Sequence, residues 1–523
     1  MVMQSIRASL QSKVCGGGRR TDLNLGVTAL LAMVPVIATC VSTMQGPGLS
    51  PDSVAYLSAG LNLAEGDGLL KYTGGTLTVF PPGLPLLIAI GEICGLEKEW
   101  TVRLLNICSF ALIVVLSSVL LHSLVANRRL AHGATLFISV SVSLLGVARM
   151  AWTEPLFLAL SLFFVFGLKS ALTGPHLKRW IVACAVLVWA SFFVRYAGVS
   201  LLPIGGATFL LGLWRMGRLL ALRYALAFVA LGSLGPMVWM FRNHSVDGTL
   251  MGPRSPNRTD TLVLIGKRIF GTLGDWLFPN WVTDANLTKV GLGFVVALIC
   301  GAAFVLLNTK RQDAEQLMVS LLPVVVFGFG YVAYLTVAKI TTSFVWTGSR
   351  LLVPIFVPLV VVTTVVLDRL AVGVKVPVRR GAHFVLLLLV ALQGHTYIND
   401  ARLSGVKGVG YASIEWKRSE LIEATRSLPS SAVLYSDRPD GIWAVTGREP
   451  VLMSPSVATN GTFLRNVACA EAYLAWFDIR RGWLATLEEI AEVVVLEPVV
   501  QTSVGTLYKL GLNDQAECAA AVD

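Results

Sequence analysis

Eleven apolar runs, most of them long enough to cross a bilayer as helix, recur along this chain of 523 residues with short polar loops between them. A hydrocarbon core takes about 20 residues of helix to span. The runs lie near 23–41, 103–123, 131–149, 154–171, 180–196, 198–214, 223–241, 289–307, 316–338, 351–367 and 382–394. With 55% hydrophobic and 14% charged residues, the chain holds more apolar surface than a soluble core could hide. Its expected fold class is an all-α polytopic membrane protein of about eleven transmembrane helices.

The basic residues set the orientation. Leu84 to Leu96 is apolar but only about 13 residues long, short of the roughly 20 a span needs. Treated as a helix in the membrane interface, it puts Arg128-Arg129, Lys169 with Lys178-Arg179, Arg215 with Arg218, Lys310-Arg311, and Arg369 with Arg379-Arg380 on one side, the cytoplasmic side by the positive-inside rule. Residues 1–22, with Arg7, Lys13, Arg19 and Arg20, are then a cytoplasmic tail ahead of a signal anchor. Residues 23–396 form the transmembrane domain, with 44–102 as its first extracytoplasmic loop. Residues 397–523 change composition to short apolar runs such as Ala432 to Tyr435 among turn-rich polar stretches, and read as a small extracytoplasmic α/β domain. The expected location is the inner or plasma membrane.

The net charge of +11 lies in loops between spans rather than on one soluble face, which argues against nucleic acid as a partner. Of the eight cysteines most sit inside apolar runs without metal-ligand spacing. Cys469 and Cys518 share a polar region and form a candidate disulfide. Phosphate-cradling loops, nucleophile elbows and zinc helices are absent from the sequence. Asn-x-Ser/Thr triplets at Asn243, Asn257, Asn286 and Asn460 all fall on the outer side of this topology.

The first outer loop carries one early carboxylate, Asp52, in Ser50-Pro51-Asp52, a helix start that Asp52 is able to cap. Val54, Leu57 and Leu61 follow at helical spacing, glycines 66, 68, 74 and 75 end the helix, and Phe80-Pro81-Pro82-Gly83-Leu84-Pro85 leads into the short apolar run. Asp52, Tyr56-Leu57, Ala59, Asn62-Leu63, Gly66 and Pro81-Pro82-Gly83-Leu84-Pro85 resemble the first loop of the GT-C superfamily of membrane glycosyltransferases, in particular its aminoarabinose-transferase and protein O-mannosyltransferase-like branch. Several relatives carry Asp-Glu at the acidic position, where this chain has Asp52-Ser53.

The resemblance implies an inverting glycosyltransferase that moves a sugar from a polyprenyl-phosphate donor to a hydroxyl of a lipid, glycan or protein acceptor at the outer membrane face. Such a reaction needs one base and several cations, because the phosphate already leaves as a stable anion. Asp52 is then the candidate catalytic base. Glu154, in Thr153-Glu154-Pro155, and Tyr56 are candidates to orient the substrate. Arg350, Arg195, Arg242 and Lys71 are candidates for the donor phosphate, since a guanidinium near the membrane is costly unless paired and its fork fits phosphate oxygens. Arg350 resembles the family's Arg-Tyr-Leu-Leu-Pro segment, with Leu351 in place of the aromatic residue. Snorkelling to the headgroups is the competing account of these arginines. No resident metal is assigned, and divalent-metal dependence stays open. The alternatives are a transporter or flippase of a lipid-linked intermediate, or a non-catalytic subunit of the same fold.

Overall fold

The structure is a computed structural model that describes residues 24–344, 348–372, 376–458, 460–477 and 484–512. The expected tail at 1–22 and Cys518 lie outside the described residues. In chain order come α1 (Leu25–Ser42), α2 (Pro51–Glu65), α3 (Gly83–Ile93), α4 (Lys98–Leu124), α5 (Arg128–Ser139), α6 (Val142–Ala148), α7 (Glu154–Thr173), α8 (Leu177–Val194), α9 (Leu201–Leu213), α10 (Arg218–Asp247), α11 (Leu262–Leu277), α12 (Asp284–Asn308), α13 (Arg311–Thr341), α14 (Ser349–Leu370) and α15 (Val376–Lys407). A 3₁₀ turn, Tyr196–Ser200, precedes α9. Among the described residues ten helices are long and apolar enough to cross a membrane, and α5 with α6, bent by 43°, makes an eleventh when counted as one span. The bend has a local cause. Ser141 accepts from Leu144 N at 3.3 Å, a helix cap placed in the middle of an apolar run.

The chain divides into two units. The first takes the described parts of Met1–Ser42, Thr78–Leu84 and Val102–Leu403. Its core is aromatic: Phe157 lies 6.0 Å from Tyr331, Phe209 5.3 Å from Phe228, and Phe137 5.9 Å from Phe356, with Phe110, Phe192 and Phe327 also buried. Truncating such a ring to alanine costs about 3–5 kcal/mol. Close backbone approach supplements this packing. A side chain on Gly274 of α11 would strike the Leu287 carbonyl, and one on Gly291 of α12 the Phe270 carbonyl, so these two helices meet where only glycine fits. Two features depart from the sequence reading. The 242–288 loop contains α11, capped by Thr261, which accepts from Leu264 N at 3.3 Å. The last span does not stop near 394, because α15 runs on to Lys407 through 397–407.

The second unit takes Thr43–Leu77, Pro85–Thr101 and the described part of Ser404–Asp523. Its sheet contains β1 (Val433–Ser436), β2 (Val451–Leu452), β3 (Ala472–Trp476), β4 (Val494–Thr502) and β5 (Gly505–Leu512) in the order β2-β1-β3-β5-β4. β1 runs parallel to β2 and β3, and β5 antiparallel to β3 and β4, with Leu434 beside Tyr473 and Leu474 beside Tyr508. Residues of the 44–102 segment bond to the 409–417 segment. Leu49 N donates to the Val409 carbonyl at 3.3 Å, Tyr411 N returns to Leu49 O at 3.0 Å, and Lys417 Nζ reaches Gln45 O at 2.8 Å. Cys469 is disulfide-bonded.

Candidate active site

Polar side chains gather at the turn from Arg149 to Glu154. Asn106 on α4 donates through Nδ2 to the carbonyls of Ala148 at 2.9 Å and Met150 at 2.6 Å, tying the end of α6 from behind. Thr153 is the N-cap position of α7 but makes no capping bond with its side chain, and Pro155 occupies the first turn, where its missing N–H costs nothing. Glu154 is fully buried. Its Oε1 accepts from Arg195 Nη1 at 2.7 Å and from Arg350 Nε at 2.5 Å. Arg195 also donates to Thr153 Oγ1 at 3.2 Å, and the Arg350 guanidinium lies 3.9 Å from the centre of the Trp152 ring. Tyr331, on α13, neighbours Arg195. Glu154 Oε2 is buried with no hydrogen-bond partner among the described residues.

One carboxylate oxygen is shared by two guanidiniums in a buried place. Removing charges from water is costly, and attraction between them repays that only when the geometry is good. Guanidinium forks oriented in this way suit the oxygens of an incoming anion. The snorkelling account of Arg195 and Arg350 does not hold, because both side chains turn inward to Glu154 and are only 17% and 14% exposed. Arg350 is held at the start of α14 by Gly348, whose φ of 49° favours glycine. The next residue, Ser349, receives hydrogen bonds from Ser143 Oγ at 3.2 Å and Trp276 Nε1 at 3.3 Å, while the Trp276 ring stands edge-on to Phe356 at 5.1 Å.

Arg242 is placed differently. It donates to Asn243 Oδ1 at 3.0 Å and stacks on Trp239 at 4.8 Å. Asn243 and Trp239 Nε1 both donate to the Tyr196 hydroxyl, at 2.9 and 3.1 Å, and that hydroxyl donates to Thr78 O at 2.7 Å. Asn243 is fully buried with its amide so engaged, so its Asn-x-Ser triplet is not an accessible acceptor. A second acid-centred cluster holds the 248–261 segment: Asp260 binds Arg268 at 2.8 Å and Lys339 at 2.7 Å. The Lys339 hydrogen bond leads the effects that keep the Asp260 carboxyl below its usual range.

In the second unit the helix α2 is capped by Ser50, which accepts from Ser53 N at 3.4 Å, and not by Asp52 as the sequence suggested. Asp52 sits in the first turn, half-buried, beside the positive helix end. The shorter Ser50 side chain precedes Pro51, which is pre-set for the first helical position, and so takes the cap. Tyr56 is buried on the same helix. Lys71 lies in a turn whose backbone is closed by Lys71 N to Gly75 O at 2.9 Å and held by Asn62 Nδ2 on Leu70 O at 2.8 Å. In the next residue, Tyr72, the hydroxyl donates to Asp440 at 3.0 Å and the ring stacks on Trp443 at 5.5 Å.

The structure thus brings Glu154, Arg195 and Arg350 together and gives Arg242 other partners within the same unit. Sequence reasoning missed Trp152, Thr153 and Tyr331 around Glu154. The first two adjoin it in the sequence, and a tryptophan and a threonine beside a lone acid at a span end were the available signal.

Ten helices, or eleven with the bent pair, long and apolar enough to span among the described residues, with short helices between the first two and a small C-terminal sheet, are the fold of several solved structures. The chain is similar to ArnT from Cupriavidus metallidurans bound to undecaprenyl phosphate, with a TM-score of 0.60 at 13% identity over 93% of this chain and 98% of that one. The apo form of the same ArnT gives 0.58 at 14% identity over 92% and 98%. Arabinofuranosyltransferase AftD from Mycobacteria gives 0.53 at 14% identity, over 93% of this chain and 40% of that one. No family model and no curated protein matches the sequence.

Proposed function

We propose that this protein is a membrane glycosyltransferase that moves a sugar from a polyprenyl-phosphate donor to an acceptor hydroxyl at the outer membrane face, with inversion. The observation that carries this reading is Glu154 Oε1 shared by Arg195 and Arg350, a buried acid that orients two guanidiniums. The GT-C fold and the ArnT bound to undecaprenyl phosphate support the donor class.

In the proposed step the acceptor oxygen attacks the anomeric carbon and its proton passes to the Asp52 carboxylate. The bond from the anomeric carbon to the phosphate oxygen breaks, and its electron pair leaves on the polyprenyl phosphate. Arg350 and Arg195 stabilise that growing charge, with Glu154 orienting their forks; Arg242 and Lys71 add positive potential. Tyr56 orients substrate. Placing the C-terminal region outside the cytoplasm belongs to the same proposal and rests on the basic loops.

Mass spectrometry of lipid copurifying with the protein tests the reading. A polyprenyl-phosphate sugar supports it and names the donor. Turnover of a nucleotide sugar with no lipid intermediate would overturn it.

A further inference from the structure

The start of α14 is held by a ring of hydrogen bonds that runs through four elements of the first unit. Ser349 Oγ accepts from Ser143 Oγ of α6 at 3.2 Å and from Trp276 Nε1 of α11 at 3.3 Å, and it donates to Asp275 Oδ2 of α11 at 3.5 Å. Trp276 O in turn accepts from Gln393 Nε2 of α15 at 2.5 Å, and Gln393 Oε1 accepts from Val142 N at 3.3 Å. Val142 precedes Ser143 in the chain, so the ring closes on α6.

A serine hydroxyl has one hydrogen to give and room to accept two, and Ser349 uses all three. Gln393 and Trp276 are buried, and Gln393 has both ends of its amide engaged. A buried polar network satisfied in this way is rigid. The helix start has no side-chain cap of its own, because Gly348 stands at the N-cap position, so the ring anchors its first residue. Arg350 is the next residue, and from there its Nε–H reaches Glu154. A guanidinium fork bonds phosphate oxygens in a narrow geometry, and a shift of about 1 Å at its backbone is felt there.

We propose that Ser349 is a positioning residue for the phosphate contact of Arg350, with Trp276, Asp275 and Gln393 holding it in place. The inference rests on the glycosyltransferase reading and deepens it by naming what sets the fork of Arg350 toward the donor. A ring that merely packs the four elements together would act on stability alone, without regard to the phosphate.

The test uses the full-length protein in detergent and two probes, undecaprenyl phosphate and undecaprenol, which has the same tail and no phosphate. Ser349→Ala, first shown to be folded by its thermal unfolding, should bind undecaprenyl phosphate about 5-fold more weakly and undecaprenol like wild type. Ser349→Thr keeps the hydroxyl and should bind both like wild type. Placed on Arg350→Ala, Ser349→Ala should cause no further loss, because its effect runs through that arginine. Should Ser349→Ala not fold, Trp276→Phe takes its place, since it keeps a ring beside Phe356 and loses the Nε1–H. Wild-type affinity for undecaprenyl phosphate in the variant, an equal loss for both probes, or a full further loss on Arg350→Ala overturns the positioning role and leaves the phosphate reading standing. No phosphate-dependent binding by wild type overturns the phosphate reading, and the positioning role with it.

Discussion

Glu154 Oε1 accepts the Nε–H of Arg350 at 2.5 Å, across 196 positions of chain. The acid is buried at the first turn of α7 and the arginine opens α14, so the bond ties together the ends of two spans. With Arg195 on the same oxygen, the carboxylate acts as a shared counter-ion for two guanidiniums.

Removing that counter-ion takes a shared partner from two largely buried guanidiniums. Glu154→Ala should destabilise the protein by about 3–5 kcal/mol, the cost of breaking a buried charge pair from one side. Glu154→Gln keeps an acceptor and should cost less. Thermal unfolding in detergent reads both, and wild-type stability in Glu154→Ala would show that the cluster does not hold α7 to α14.

The acid-base assignment makes a kinetic prediction. Asp52→Asn preserves size and helix-start chemistry, since Ser50 provides the cap. It should therefore keep unfolding temperature and donor binding while lowering turnover by about 10²–10⁴, the share of a general base. A fully active Asp52→Asn variant would remove Asp52 from that role.

The spans were legible because hydropathy is local: each of the eleven expected runs coincides with an apolar helix or, for α5 and α6, with a bent pair. The amphipathic α11 was lost because its apolar residues are interleaved with Lys267, Arg268 and Asp275 and fall below a spanning signal. Site residues were legible one at a time, through span-end position and family resemblance. Their grouping was not, because Arg195 and Arg350 reach Glu154 across 41 and 196 positions and no periodicity encodes such a meeting. The cap of α2 shows the same limit at short range: Ser50 and Asp52 both suit a helix start, and the backbone geometry at Ser50 decides between them.

Asp260 gives a pH dependence with a definite sign. Its folded carboxyl titrates below its ordinary value, chiefly through the Lys339 hydrogen bond. The stability it contributes is therefore present in full above the ordinary aspartate pKa of about 3.9 and is lost as pH falls through the lower folded value. The difference in unfolding temperature between wild type and Asp260→Asn should be constant near neutrality and shrink under acid. A difference that grows as pH falls would reverse the assignment.

In the second unit, Tyr72 links the 44–102 segment to the helix Pro439–Thr446. Tyr72→Phe loses the bond to Asp440 but keeps the stack on Trp443, and should cost about 1 kcal/mol. Trp443→Ala removes the stacking partner and should cost about 3 kcal/mol or more. Chemical unfolding followed by tryptophan fluorescence separates them, and equal costs would show that the hydroxyl, not the ring, holds the loop.

The central claim is that Arg350 receives a lipid phosphate. Titration of undecaprenyl phosphate into wild type, Arg350→Lys and Arg350→Ala, each first shown to be folded, tests it most directly. The account predicts binding by wild type and a loss of about 10- to 100-fold in Arg350→Ala, as for a charge-assisted bidentate contact. Arg350→Lys should fall between, because lysine keeps the charge without the fork. Equal affinity in all three, or no binding by wild type, would contradict the account.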